Sequence, residues 1–263
     1  MIGLQNKVAL VTGGSSGMGL GIAQSFLAAG ASVAICSHDQ DELARALDTL
    51  KVGDRLLTVP ADVTRAADMQ AAVAAAVERW GGLEVLVNSA GIQRYGTVVD
   101  TPEEVWDAVM SVNLKGIFLA AKAAIPEIAR RGGGAVINIA SVQAYASQQN
   151  VAAYTASKGA IVALTRAMAL DHAPDRIRVN AICPASVDTP MLRWAADLWK
   201  GDSTAEATMA AWGGAHPWGR VGRVDEIGAL AVFLASDACQ FMTGADLKVD
   251  GGVLAKLGIV LPD

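Results

Sequence analysis

The stretch 7-KVALVTGGSSGMGLGIAQSFLAAG-30 decides the fold. It opens as a short β-branched run and ends as an Ala-rich helix former, and glycines fall at 13, 17 and 19 between the two. Glycine at a strand-to-helix junction permits a tight turn and lets backbone N–H groups approach an anion at the positive end of the helix. Such a turn alone is a weak signal and could serve only helix packing. Its place after the first strand of an alternating chain gives it weight, because context is what confirms the motif. Read as a pyrophosphate turn, it offers Gly13, Ser15, Ser16, Gly17, Met18 and Gly19 as contacts for a dinucleotide.

Short β-branched runs and Ala-rich helical stretches alternate from end to end, the pattern of parallel strands joined by crossover helices. The strands are expected near 7-KVALVT, 32-SVAICS, 55-RLLTVP, 84-EVLVN, 134-GAVINIA, 176-RIRVNAI and 245-ADLKV, several of them apolar enough to be buried on both faces. The chain reads as one α/β domain over residues 1–263, since its 263 residues suit a single large core. Residues 185–222 break the rhythm: they hold Trp194, Trp199, Trp212 and Trp218, four of the six tryptophans. A connection this long reads as a lid or binding loop.

No uninterrupted apolar stretch approaches the roughly 20 residues of a membrane span, so the expectation is a soluble protein with no membrane partner. The start has no signal-peptide layout, and Cys36, Cys183 and Cys239 are too few and scattered for a disulfide scaffold or zinc site. Both features point to the reducing cytoplasm. A net charge of -5 argues against a nucleic-acid partner. His216 has no neighbours at metal-ligand spacing, so no metal is expected and a core or surface histidine is the simpler reading.

Cofactor choice hangs on 35-ICSHDQ-40 at the end of the second strand. An acid there would bind the ribose hydroxyls of NAD, whereas a 2′-phosphate needs a cation and no nearby carboxylate. Ser37 takes the acid's place and His38 follows, which favours NADP(H) with NAD(H) still possible; the bland alternative is a solvent-facing helix start. In 61-ADVT-64, Asp62 is placed to accept from an adenine amino group, with Val63 beside it, while Thr64 could equally be a helix N-cap.

In 152-AAYTASKGA-160, Tyr154 and Lys158 stand four residues apart, hence on one face of a helix. A phenol with an ordinary pKa of about 10 becomes a usable proton donor and acceptor when a neighbouring ammonium favours its anion. Ser141 in 138-NIAS-141 ends a strand 13 residues before Tyr154, far enough for a loop to bring both into one cleft.

The turn TGGSSGMG, 88-NSAG-91, Asn113 in 112-VNLKG-116, Ser141 and 154-YTASK-158 together resemble the short-chain dehydrogenase/reductase family, over essentially the whole chain. The ordered set is specific although each piece alone is not. Taken singly, Ser141 could cap a loop, Tyr154 be a buried helix tyrosine, Lys158 a solvated charge and Asn113 a local helix hydrogen bond.

The resemblance implies a single Rossmann-type doubly wound parallel sheet in the order 3-2-1-4-5-6-7, reversible hydride transfer between a nicotinamide cofactor and a secondary alcohol or ketone, and frequently a homotetramer, with a dimer as the smaller option. It implies Tyr154 as general acid/base, Lys158 tuning it and gripping the nicotinamide ribose, Ser141 stabilising the substrate oxygen, and Asn113 holding a water that relays protons. Asn88, Ala90 and Gly91 fall where open sheets bind ligands, beyond the strand ends. Pro184, Val187 and Thr189 match the segment that holds the carboxamide.

Ala185 departs from the glycine that relatives commonly carry after Pro184, which puts the local loop path and substrate shape in question. Gln93, Gln143 and Trp194 are candidate substrate contacts. The apolar tail within 249-VDGGVLAKLGIVLPD-263 is expected to find cover in a subunit contact. Competing readings are a nucleotide-binding scaffold that kept the fold without the reaction, and a related epimerase or dehydratase with retained cofactor.

Overall fold

A computed structural model describes residues 3–257. Seven strands, β1 (Val8–Thr12), β2 (Ser32–Ser37), β3 (Leu56–Pro60), β4 (Val85–Asn88), β5 (Gly134–Ile139), β6 (Ile177–Pro184) and β7 (Asp246–Val249), fall on the seven runs read from the sequence. They pair in parallel in the order β3-β2-β1-β4-β5-β6-β7. The order reverses at β1, so the crevice between the β1 and β4 ends is where such sheets take ligands.

Nine α-helices among the described residues complete the fold: α1 (Gly17–Ala28), α2 (Gln40–Leu50), α3 (Ala66–Trp80), α4 (Glu103–Met110), α5 (Gly116–Arg130), α6 (Ala152–Asp171), α7 (Pro190–Trp199), α8 (Ala205–Gly214) and α9 (Val224–Ala235). Side chains alternate across a strand, and here both faces are covered. Ala9, Val11, Val33 and Ile35 pack with Ile22 and Phe26 of α1 and Ile227 of α9. Leu10, Ala34 and Leu86 pack on the opposite side with Met69 of α3 and Ile128 of α5. Phe26 is wholly buried, and such a side chain contributes roughly 1.5–3 kcal/mol of transfer free energy.

The register matters more for function than the core. Thr12 pairs with Asn88, and Asn88 with Asn138, so β1, β4 and β5 end level at one edge of the sheet. Helices α4 and α5 run continuously through a π-helical turn at Ser111–Lys115. The combined helix Glu103–Arg130 is long and apolar enough to cross a membrane, but half of its apolar window is buried in the fold.

The long interval after β6 is a helical hairpin of α7 and α8. Its feet are tied together: Asp188 N–H donates to Gly222 O at 2.9 Å and Gly222 N–H to Ser186 O at 2.8 Å. Of the apolar tail, Val253 and Leu254 turn inward to line the cavity described below; residues 258–263 lie outside the described residues.

Candidate active site

At the glycine turn, Gly13 has φ +63° and Gly17 φ +52°, backbone that glycine adopts without steric cost. A Cβ on Gly13 would sit 2.8 Å from the Ala90 Cα, and one on Gly19 would sit 2.1 Å from the Gly13 carbonyl. The turn is therefore pressed against the chain leaving β4. Ser16 takes the N-cap position of α1 but makes no side-chain cap, and no acidic residue lies in the first turn. By contrast Asp39 caps α2, Thr189 caps α7 and Thr204 caps α8. A helix start with its backbone donors left uncapped by side chains fits a pyrophosphate.

A ladder of polar side chains fixes the level strand ends. Asn88 donates to Asn138 Oδ1 at 2.8 Å, and Asn138 donates to Thr165 Oγ1 of α6 at 2.9 Å. Thr12 Oγ1 accepts from Ser89 N–H and Ala90 N–H at 3.2 and 3.3 Å. Asn88 Oδ1 is buried and has no partner among the described residues. An orphaned acceptor beside Ala90 and Gly91 suits a ligand hydroxyl. Thr189 meets the turn from the other side, its Cβ 3.6 Å from where a Cβ on Gly17 would lie. The glycine turn, Asn88, Ala90 and Thr189 thus border one crevice, whose uncapped helix start and orphaned acceptor fit a dinucleotide.

Helix α6 carries Tyr154 and Lys158 inward, both buried. Lys158 Nζ lies 5.3 Å from the centre of the Tyr154 ring and donates to the Ile139 carbonyl at 2.9 Å. Ser141 follows β5 in extended backbone and N-caps a short 3₁₀ turn, its Oγ accepting from Gln143 N–H at 3.1 Å. Asn113 sits in the π-turn, a distortion that recurs at functional sites. Its Oδ1 accepts from Ile92 N–H at 2.8 Å, and its Nδ2 donates to Ile92 O at 3.0 Å and Ser157 Oγ at 3.1 Å. The Asn113 side chain thus ties the loop after β4, at Ile92, to Ser157 of α6.

One electrostatic expectation is reversed. Lys158 was expected to pull the Tyr154 pKa down, yet Tyr154 is pushed up to about 12: burial dominates, hydrogen bonding with Ser141 pulls the other way, and Tyr95 adds to the rise. Burial also brings Lys158 down to about 8, with the Cys183 thiol opposing. The same desolvation that keeps the phenol protonated weakens the cation meant to ionise it.

In front of these groups opens a cavity of about 690 Å³. Ser141, Tyr154, Ala185, Val187 and Thr189 line its inner end, with Met18 of the glycine turn. Of the candidate substrate contacts Gln93 and Gln143 line it and Trp194 does not; Trp199 and Trp212 do. Helical phase is the reason. Met191, Leu192, Ala195 and Trp199 share the inner face of α7, whereas Trp194 points aside and stacks on Tyr95 at 5.8 Å between ring centres. Tyr95 meets Trp199 edge-on at 5.2 Å. Tyr95, Trp199 and Trp212 were not among the candidate contacts; for Trp199 the spacing 191, 192, 195, 199 was the available signal. His216 is buried with Nδ1 2.8 Å from Trp212 O, so it is a core histidine that also lines the cavity. Ala185 lines it too, its backbone outside the left-handed region, so the methyl is accommodated.

At the far end of the crevice, Ser37 is buried and accepts from Asp39 N–H at 3.2 Å, while His38 is exposed. Asp62 Oδ1 accepts from both Thr64 N–H and Thr64 Oγ–H, at 2.9 and 2.8 Å, which with His38 and Arg65 nearby holds its carboxyl below the usual range. Thr64 is consequently not the N-cap of α3; Arg65 takes that position. Val63 is buried against Gly116. Unforeseen is Glu42, in the first turn of α2, whose Oε2 accepts from Ser15 Oγ at 2.8 Å.

A doubly wound parallel sheet, a glycine turn at its switch point and a tyrosine, lysine and serine around one crevice define the class of dinucleotide-dependent oxidoreductases. Comparison with known proteins narrows the class. A family model described as enoyl-(acyl carrier protein) reductase matches residues 13–254. The 2-(S)-hydroxypropyl-CoM dehydrogenase 3 of Xanthobacter autotrophicus is 40% identical over 253 residues, 96% of this chain and 98% of that protein.

Two solved structures superimpose closely. The ligand-free aldohexose dehydrogenase of Thermoplasma acidophilum has a TM-score of 0.91 at 36% identity, covering 99% of this chain and 98% of the other. The 3-ketoacyl-(acyl-carrier-protein) reductase of Brucella melitensis, complexed with NADH, has a TM-score of 0.85 at 34% identity, covering 95% and 99%. The chain belongs to the short-chain dehydrogenase/reductase family.

Proposed function

We propose that the protein catalyses reversible hydride transfer between a nicotinamide dinucleotide and a secondary alcohol or ketone, with Tyr154 as general acid/base. The observation that carries this reading is the convergence of Ser141, Tyr154 and Lys158 at the end of a cavity that begins at the glycine turn. The similarity to proteins named as dehydrogenases and a ketoacyl reductase supports it.

Bound in the crevice, the nicotinamide ring supplies or accepts the hydride. Gly13, Ser15, Ser16, Gly17, Met18 and Gly19 hold the pyrophosphate end, and Asn88, Ala90, Gly91, Pro184, Val187 and Thr189 the nicotinamide end. Ser141 donates to the substrate oxygen as negative charge develops there. In reduction Tyr154 gives its proton to that oxygen; in oxidation it takes the hydroxyl proton. Lys158, anchored on the Ile139 carbonyl, supplies positive charge behind the phenol. Asn113 fixes the loop that follows β4, and the α7–α8 hairpin excludes water.

Mixing the purified protein with NADH or NADPH and a panel of ketones, while following reduced-nicotinamide absorbance, tests this. Turnover is the expected outcome. Binding of dinucleotide without any chemistry would favour the scaffold reading, and substrate conversion without net change in absorbance the epimerase or dehydratase reading.

Ser37 and His38 favour NADP(H); Glu42 works against it. A carboxylate hydrogen-bonded to Ser15 welcomes a ribose diol and repels a 2′-phosphate, and two unit charges about 4 Å apart near a protein surface interact by roughly 4 kcal/mol. Asp39 and Asp41 add negative charge to the same turn. We therefore read the site as preferring NAD(H). Dissociation constants are expected to favour NADH over NADPH by about tenfold or more, with Glu42→Gln erasing most of the ratio by tightening NADPH. A wild-type preference for NADPH, or a ratio blind to Glu42→Gln, would restore the reading from His38. Cytoplasmic residence and assembly as a homotetramer belong to the same reading. Trp106, Phe118 and Leu170 are exposed apolar side chains that a subunit contact would cover.

A further inference from the structure

The cavity's lining is unusual in what kind of side chain it omits. Among the described residues no Asp, Glu, Lys or Arg lines it. Its polar groups are amides, with Gln148, Gln149 and Asn150 at the exposed rim, hydroxyls of Ser, Thr and Tyr, and the single imidazole of His216. Of the cations that neighbour lining residues in the chain, Arg193 bonds Asp188 at 2.7 Å and Lys200 bonds Asp197 at 2.6 Å, while Arg94, which donates to the Gln93 carbonyl at 2.9 Å, does not itself line the cavity.

Apolar surface makes up the rest: Met191, Leu192 and Trp199 from α7, Trp212 from α8, and Val253 and Leu254. The broad indole faces are braced, since Tyr95 packs edge-on against Trp199 with Trp194 stacked behind it. His216 contributes a ring whose Nδ1 is engaged by the Trp212 carbonyl.

Resting on the proposed hydride transfer, we infer that the substrate is an uncharged, ring-bearing secondary alcohol or ketone, and that carboxylate, sulfonate or phosphate analogues are excluded. Flat aromatic walls favour flat or alicyclic carbon skeletons, and the cavity, whose inner end the nicotinamide end of the dinucleotide would share, has the size of a small-molecule site. A buried anion without a cation partner keeps its desolvation cost unopposed. An amide rim donates to a carbonyl and accepts from a hydroxyl equally well, so it orients neutral oxygens. In oxidation the alcohol carbon loses a hydride to the oxidised dinucleotide and the hydroxyl loses its proton to Tyr154, leaving ketone and reduced dinucleotide.

The test uses matched pairs at neutral pH: the methyl ester of a hydroxycyclohexanecarboxylate against the free carboxylate, and the same pair built on a decalol ring. With either dinucleotide, kcat/KM for the esters is expected to exceed that for the carboxylates by about a hundredfold. Gln149→Arg brings a cation to the rim and is expected to shrink the gap tenfold or more. Carboxylates that match or beat their esters would overturn the inference, as would a gap untouched by Gln149→Arg. Failure to oxidise any ring, in a protein that still reduces acyclic ketones, would overturn it while leaving the hydride-transfer reading intact. Failure to bind either dinucleotide, read by quenching of tryptophan fluorescence, would bring down that reading and this one together.

Discussion

Tyr154→Phe is expected to lower kcat by about a thousandfold, within the range that a positioned general acid supplies, while leaving the dissociation constant for the dinucleotide and the thermal midpoint nearly unchanged. The ring is buried and the substitution deletes only the hydroxyl, so packing survives. Ser141 remains to hold the substrate oxygen but cannot replace the lost proton, because its own hydroxyl is less acidic than the phenol. The residual rate reports what binding, orientation and the Ser141 hydrogen bond achieve alone. Stopped-flow absorbance of the reduced nicotinamide, with binding measured separately, checks this. A variant within tenfold of the wild type would remove Tyr154 from the chemistry.

The direction of the Tyr154 shift bears on which reaction is easier. With its pKa near 12, the phenol is protonated throughout the physiological range, the state that reduction consumes. Oxidation needs the phenolate, so its rate should climb as pH rises. That asymmetry was invisible in the sequence. Spacing places Tyr154 and Lys158 on one helical face, but how deeply α6 buries that face depends on β5, β6 and α4 packed around it.

The fold was legible because its signals are local. Val33 and Ala34 in β2, or Val11 and Leu10 in β1, are buried on opposite faces of the sheet, and only continuous apolar runs suit that position. Gly13 is legible because its positive φ and its contact with Ala90 both exclude a side chain. What escaped was tertiary. Glu42 and Ser15 are 27 residues apart, and nothing in either neighbourhood announces their hydrogen bond. Trp194 and Trp199 look equivalent as composition; the packing of α7 on α8 and on Tyr95 decides which faces the cavity. The Thr64 reading failed because Asp62 captures both its hydroxyl and its N–H.

Lys158→Met should produce the second large effect and separate the roles of charge and packing. Catalytically, losing the charge behind Tyr154 and the proposed grip on the nicotinamide ribose is expected to lower kcat by about a hundredfold and to shift the pH profile for oxidation upward. Stability should move the opposite way. The ammonium is almost fully buried, and its pKa falls from 10.5 to about 8, which corresponds to roughly 3 kcal/mol of penalty for keeping it charged.

The sign follows from proton counts. Below pH 8 both native and unfolded chains hold the proton and the penalty is fully present. Between about 8 and 10.5 only the unfolded chain holds it, so stability rises with pH across that window. Tyr154 acts later and in reverse: its native pKa lies above its unfolded value of 10, so its contribution is complete below pH 10 and is lost between 10 and about 12. The wild type, without added dinucleotide, is therefore expected to gain thermal midpoint from pH 8 to 10. Methionine has similar reach and no charge, so the variant should lack that gain. It should also melt a few degrees above the wild type at pH 7, less the cost of leaving the Ile139 carbonyl without its donor. Scanning calorimetry at matched ionic strength measures both. A wild-type midpoint that is flat or falling over that window, with the variant tracking it, would mean that Lys158 is solvated, and the account of it as a buried, desolvated amine would fail.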